Sequence, residues 1–216
     1  MPESPPSERT RVKRHPERGA YDRATIDGIL DEALFCHVGY VADGHPRVIP
    51  TIHARVGDTL YVHGSNASRT LRSTKGGAPV AAEVTLIDGL VLARSAFHHS
   101  MNYRSVVVYG RAREVTDPAE KFEAQRALVE HVVPGRSADA RLPNDRELNQ
   151  TTILAIPMDE ASAKVRTGPP KDEDEDLELP VWAGVLPFTT LPGEPEPDRL
   201  LPNGIDPPSY VTDYRR

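Results

Sequence analysis

Residues 34–63, LFCHVGYVADGHPRVIPTIHARVGDTLYVH, decide the fold. Leu34–Val41 reads as a strand. Ala42-Asp43-Gly44 is a turn, since Asp-Gly accepts the positive φ angles that a tight hairpin demands. Arg47–Val56 is a second strand, Gly57-Asp58 a second turn and Thr59–His63 a third strand. Short strands punctuated in this way form an antiparallel meander.

Outward from the meander the periodicity changes. Upstream, Asp22 or Thr25 can cap a short helix whose Ile26, Ile29, Leu30 and Ala33 share one face. Residues 1–19 lack apolar periodicity and read as a flexible tail. Downstream, Ser65–Lys75 is a polar loop entering one turn of helix. Val80–Ile87 and Leu90–Ala93 are strands hinged at Asp88-Gly89, and Arg104–Val115 is the clearest strand of the chain. Asp117-Pro118 starts a helix to about His131, with Phe122, Leu128, Val129 and Val132 as its apolar positions. Thr151–Pro157 and Ala163–Arg166 are the last core strands. The expected organisation is therefore a tail (1–19), a barrel domain (20–168), an acidic linker (169–179) and a Pro-rich extended arm (180–216). The linker carries the solvated run Lys171–Asp176, and Trp182 beyond it reads either as core packing or as an anchor. A doubly wound sheet would alternate strand and helix, whereas this order fits a mainly β, antiparallel barrel with peripheral helices.

Composition narrows the function. The 216 residues are 38% hydrophobic with 21 prolines, so the core is concentrated in part of the chain. A net charge of −6 without a basic block argues against nucleic acid as the main partner. One cysteine, Cys36, excludes an intrachain disulfide and multi-cysteine metal patterns, and its apolar surroundings predict a buried, inert thiol. The first residues carry no signal-peptide core and no apolar run is long enough to cross a membrane, so a cytoplasmic protein is expected. Phosphate-loop, dinucleotide-turn, nucleophile-elbow and zinc-helix motifs are all missing. His98-His99 is no chelate if the two residues lie on a strand, where neighbours point to opposite faces, so no metal site is expected.

Three strips remain. His63-Gly64-Ser65-Asn66-Ala67-Ser68-Arg69-Thr70 brings hydroxyls, a guanidinium and free backbone N–H groups to one strand end, with Lys75 just beyond. Such a set suits a dianionic phosphate, and it also reads as a polar turn with a capping serine. Arg47-Val48-Ile49-Pro50-Thr51 places a proline in a strand, as at an edge or where a sheet parts to meet a planar heterocycle. Ser100–Ser105 leads polar side chains into the Val106–Val108 strand.

Taken in order, Cys36–Tyr40, Arg47–Thr51, Tyr61–Ser65 with Ser68-Arg69, and Tyr103–Gly110 resemble the pyridoxamine 5′-phosphate oxidase-like flavoproteins. The similarity runs from about residue 20 to 167 and touches Val181–Pro187, and the nearest branch includes the nitroimidazole-resistance proteins. The resemblance implies a homodimeric split β-barrel with FMN at the subunit interface. It places Arg47, Val48, Ile49, Pro50 and Thr51 along the flavin and His63 and Gly64 at the strand end that touches it. Ser68 and Arg69 match the pair that holds the FMN phosphate. Thr70 stands where the oxidases carry lysine, so Arg72 or Lys75 would replace that charge. Ser105 matches a polar position near the ring. The oxidases' C-terminal substrate pattern is not recognisable, so pyridoxamine phosphate oxidation is not assigned. The resemblance implies an FMN-dependent oxidoreductase that takes electrons from a reduced nicotinamide and reduces a small electrophile, a nitro compound or a quinone, with His63 as proton donor. A non-enzymatic flavin- or haem-binding protein is the alternative, with His63, His98 or His99 as an axial ligand. A deazaflavin in place of FMN is a third.

Overall fold

The structure is a computed structural model that describes residues 4–66, 68, 73, 74 and 76–215. Helix α1 (Arg23–Glu32) begins where the Asp22 carboxylate accepts the Thr25 N–H at 2.8 Å, and it buries Ile26, Ile29 and Leu30. The predicted meander follows as β2 (Phe35–Ala42), β3 (His45–Val56) and β4 (Thr59–Ser65), after a two-residue β1 (Gly19–Ala20). Asp43 and Gly44, at φ 54° and 74°, are the two central residues of the β2–β3 turn, the type I′ arrangement that matches strand twist.

The rest of the barrel is β5 (Gly76–Leu92), β6 (Ser100–Glu114), β7 (Thr151–Pro157) and β8 (Glu160–Arg166), joined by α2 (Pro118–Val132), α3 (Arg136–Asp139) and α4 (Asp145–Gln150). Strand β5 runs unbroken where two strands were expected. Asp88-Gly89 is a register shift within it rather than a hinge, because β6 stays paired on both sides. With a last strand β9 (Gly184–Pro187), the sheet order β1-β8-β6-β7-β4-β3-β2-β5-β9 closes on itself through an added β6–β5 pairing. Strand β6 changes partner along its length, pairing with β8 through Tyr109↔Glu160 and with β7 from Arg113↔Ala155. Gly110 lies at that change. A Cβ there would stand 2.8 Å from Ile156 Cγ2 and 3.1 Å from the Pro157 carbonyl oxygen.

The core inside the ring holds Cys36, Val38, Leu60, Val62, Val84, Val106, Val108, Leu154 and Ile156. Burial pushes the Cys36 thiol up to about 12. Two histidines fasten the helices to the barrel: His53 donates to the Leu30 carbonyl at 2.9 Å and His131 to that of Ala33 at 2.7 Å, with their rings 4.6 Å apart. Arg104 joins Glu32 of α1 to Asp88 of β5. Those bonds, Glu32 first and Asp88 second, raise its already high pKa.

The two ends make contacts that no periodicity announces. In the stretch expected as a tail, Gly19 pairs with Lys164, the Val12 N–H donates to the Tyr21 hydroxyl, and Thr10 is buried. In the acidic run, Asp172 is not solvated: its carboxylate accepts from the Arg94 and Ser95 N–H groups and from the Arg94 side chain. Strand β9 (Gly184–Pro187) extends the sheet along β5, Trp182 is 68% exposed and so lies outside the core, and a last turn, α5 (Ser209–Thr212), brings Tyr214 to donate to the Val132 carbonyl. Among the described residues no helix is long and apolar enough to cross a membrane.

Candidate functional site

The ring has a split. Strands β3 and β4 are paired only from His53↔Val62 to Val56↔Thr59. Beyond that, Arg47–Ile52 keeps β2 as its partner, while His63, Gly64 and Ser65 keep β7. Pro50, without a donor, sits on the parted edge, where its missing N–H costs no ladder bond. A weak polar contact crosses the gap, from the Thr51 hydroxyl to the His63 carbonyl at 3.5 Å. The strip Arg47–Thr51 and the strand end His63–Ser65 therefore face each other as two banks.

Side chains alternate along the β3 bank. Val48 (65% exposed) and Pro50 point outward, while Ile49 turns inward against the core. Arg47 is half-buried; its nearest carboxylate is Asp43 at 3.9 Å, and its Nε is buried with no hydrogen-bond partner among the described residues. On the other bank the loop is pinned at its start. The Thr152 hydroxyl donates to the Asn66 side-chain Oδ1 at 2.6 Å, the Asn66 side chain donates to the Asn149 backbone carbonyl, and the Ser68 N–H donates to the Ser65 carbonyl at 2.8 Å. Ser68 is half-buried there. Arg69, Lys75, Thr70 and Arg72 lie outside the described residues.

His63 borders an apolar cavity of about 270 Å³ between α2 and the split, lined by Ile52, Gln125, Leu128, Val129, Val132, Val133 and Arg136. Two polar atoms at this cavity, His63 Nδ1 and Gln125 Oε1, are buried with no hydrogen-bond partner among the described residues. Leaving such atoms unpaired costs about 1–3 kcal/mol each, so native proteins rarely keep them without a reason. Desolvation also holds His63 below its ordinary pKa of 6.5, so the ring is neutral at pH 7 and keeps a lone pair. Gln125 of α2 and Arg136 of α3 were not expected from the sequence, because both helices reach the split only through the tertiary fold.

Ser105 is not brought to the split within one chain. The strand order β3–β2–β5–β6 puts it three strands away on the outer face, roughly 14 Å at strand spacing, with its hydroxyl donating to the Lys164 carbonyl. His98 and His99 belong to a 3₁₀ turn (Ala96–His98) and its cap, not to a strand, and both line a different cavity. Among the described residues no group of three or more His, Cys, Asp or Glu is placed to hold a metal ion.

Comparison with known proteins gives no match among curated proteins. Among solved structures, the flavocytochrome Anf3 from Azotobacter vinelandii is 39% identical, with a TM-score of 0.92, covering 99% of each chain. An FAD- and haem-binding protein from Mycobacterium smegmatis is 38% identical, with a TM-score of 0.87, covering 91% of this chain and 96% of its own. A putative 5-nitroimidazole antibiotic resistance protein from Bacteroides thetaiotaomicron shares the fold at 24% identity, with a TM-score of 0.58, over 68% of this chain and 86% of its own. The family model for pyridoxamine 5′-phosphate oxidase matches residues 22–165. With its split antiparallel barrel and that match over two thirds of its length, the chain belongs to the pyridoxamine 5′-phosphate oxidase-like family.

Proposed function

We propose that this chain is a redox protein that binds both a flavin and a haem and works as a homodimer. The observation that carries the reading is the unpaired His63 Nδ1 in an apolar cavity beside the split. A neutral, desolvated imidazole with a free ring nitrogen is the donor that haem iron takes, and the apolar lining, at about 270 Å³, suits one edge of the macrocycle with the rest lying outside the cavity. The banks Arg47–Thr51 and His63–Ser65 suit an isoalloxazine and its ribityl chain, with Ser68 at the loop that follows; Arg69 and Lys75 are proposed as phosphate partners from the sequence resemblance alone. The two relatives near 39% identity, one a flavocytochrome and one binding FAD and haem, support the pairing of cofactors. Bound there, flavin would supply one- and two-electron transfer and haem one-electron transfer. The protein's part is to hold both groups, to exclude water through Ile52, Leu128 and Val132, and to set their potentials through His63 and Arg47.

The outer face of β2 and β3 supports the proposed dimer. Phe35, Val41, Val48 and Ile52 are 39–65% exposed on adjoining strands, an apolar surface that a second copy would cover.

A second reading keeps the flavin alone: FMN, electrons from a reduced nicotinamide, and reduction of a nitro compound or quinone. It is favoured by His63 standing on the bank itself, where its ring can hand a proton to a reduced acceptor. The visible spectrum of purified protein separates the two. The proposal predicts oxidised-flavin bands together with a Soret band, and loss of the Soret band alone in His63→Ala. Flavin bands without haem uptake favour the second reading, and colourless protein that takes up neither cofactor rejects both.

A further inference from the structure

A second cavity, of about 570 Å³, shares no lining residue with the split or the His63 cavity. Its lining comes from four stretches of chain: Arg14, His15 and Arg18 from the N-terminal stretch, Phe97 to Ser100 with Tyr103 from the β5–β6 connection, Lys164 and Arg166 from β8, and Lys171. Five permanent cations and three histidines thus surround one space, and no acidic residue lines it.

These charges are poorly compensated. Arg14, Lys164 and Lys171 have no carboxylate within salt-bridge reach among the described residues. Arg18 reaches only Glu17, at 3.8 Å, and that glutamate also takes His15 at 3.2 Å. His98 lies 3.6 Å from the exposed Glu173. Arg166 is the most telling. It is 7% exposed, and among the described residues its guanidinium meets only neutral oxygens: Asn102, the Gly168 carbonyl at 2.9 Å and the Pro169 carbonyl at 3.2 Å. Burial, and next the repulsion of Arg18, lower its pKa. A buried arginine facing other cations rather than a carboxylate is costly unless an anion completes it.

The backbone carries strain at the same place. His15 has φ 57° although it is neither glycine nor asparagine and is followed by Pro16, which disfavours departure from extended backbone. Such residues gather at ligand sites. Beside the cations Phe97 is 88% exposed, with its ring edge-on to His98 at 5.1 Å, so one aromatic face stands open at the cavity. The volume falls within the roughly 300–1,000 Å³ of small-molecule sites.

We infer that this cavity binds a nucleotide through its pyrophosphate, with the cations on the phosphates and the base stacked on Phe97. Guanidinium forks give paired charge-assisted bonds to phosphate oxygens, and an aromatic face accepts any base. Two sources share that chemistry: an exchangeable nucleotide, such as a dinucleotide electron donor, or the ADP half of a tightly held dinucleotide cofactor. The inference does not rest on the proposed flavin and haem sites, because inorganic pyrophosphate reads it directly.

The test is calorimetric titration of the full chain with inorganic pyrophosphate and then with ADP. Saturable pyrophosphate binding is expected, with ADP tighter. The double variant Arg14→Gln, Lys171→Gln changes only exposed side chains, so its melting temperature should hold while both ligands weaken by about tenfold, the scale of losing charged contacts. Phe97→Ala should weaken ADP down to the level of pyrophosphate and leave pyrophosphate unchanged. ADP binding to the protein as isolated identifies an exchangeable nucleotide; ADP binding only after the protein is stripped of cofactor identifies the resident ADP half. Absence of saturable pyrophosphate binding in both forms overturns the site, as does binding that the double variant leaves intact. ADP no tighter than pyrophosphate overturns the nucleotide.

Discussion

Replacing His63 by leucine sets stability against function. Leucine is close to histidine in size and presents no polar atom to the cavity walls of Ile52, Leu128, Val129 and Val132. The substitution removes a buried Nδ1 that lacks a hydrogen-bond partner, a feature worth about 1–3 kcal/mol. Because His63 is only half-buried, the gain belongs at the lower end, about 1 kcal/mol, and raises the melting temperature of cofactor-free protein by about 2–4 °C for a chain of this size. The gain depends on pH. Desolvation puts the folded pKa of His63 below 6.5, so the unfolded chain takes up the proton first as pH falls. The wild-type protein therefore loses stability at this site as pH drops through 6.5 and the His63→Leu variant does not, so the gap between them widens on the acid side. Thermal melts of the two stripped proteins above and below pH 6.5, with haem titration of each, measure both halves. A leucine variant that melts lower at every pH, or that still binds haem with a Soret band, refutes the reasoning, for His63 would then be a packing residue.

Other consequences are independent of any cofactor. With its thiol buried and pushed up to about 12, Cys36 should resist a disulfide reagent in native protein at neutral pH and yield one thiol per chain after denaturation; rapid native labelling would contradict its burial. Gly110→Val should destabilise by about 1–3 kcal/mol in chemical denaturation, since the new side chain meets Ile156 and Pro157 where β6 changes partner; an unchanged midpoint would show that the crossing can give way. Arg104→Met should cost about 1–2 kcal/mol by leaving Glu32 and Asp88 without their shared cation, and adding Glu32→Gln should restore part of it; a neutral single variant would make the bridge inconsequential.

What could be read from the sequence divides along physical lines. The β2–β3–β4 meander was legible because Asp43, Gly44 and Gly57 accept the positive φ that tight turns demand and most residues avoid, and α1 because Asp22 and its apolar spacing act locally. The parting of β3 from β4 was foreshadowed by Pro50, a strand residue without a donor. The expected hinge at Asp88-Gly89 proved to be a shift inside a continuous β5, since a long neighbour such as β6 can carry a strand across an irregularity that looks terminal on its own. Two-residue β1 and four-residue β9 are too short to show a period, and each exists only because a sheet edge accepts it. The candidate sites follow the same rule. Arg47–Thr51 and His63–Ser68 lie close in sequence and were singled out, whereas Gln125 reaches the His63 cavity only through the packing of α2. The basic cavity was hidden for that reason too, as its cations come from stretches about 150 residues apart and dissolve into an overall charge of −6.

The central claim, two cofactors held at the split of a paired barrel, is tested most directly by native mass spectrometry of the purified protein. A dimer whose added mass equals one flavin and one haem per subunit, with the haem mass missing from His63→Ala, is the expected result. A bare monomer that gains neither mass after incubation with both cofactors would contradict it.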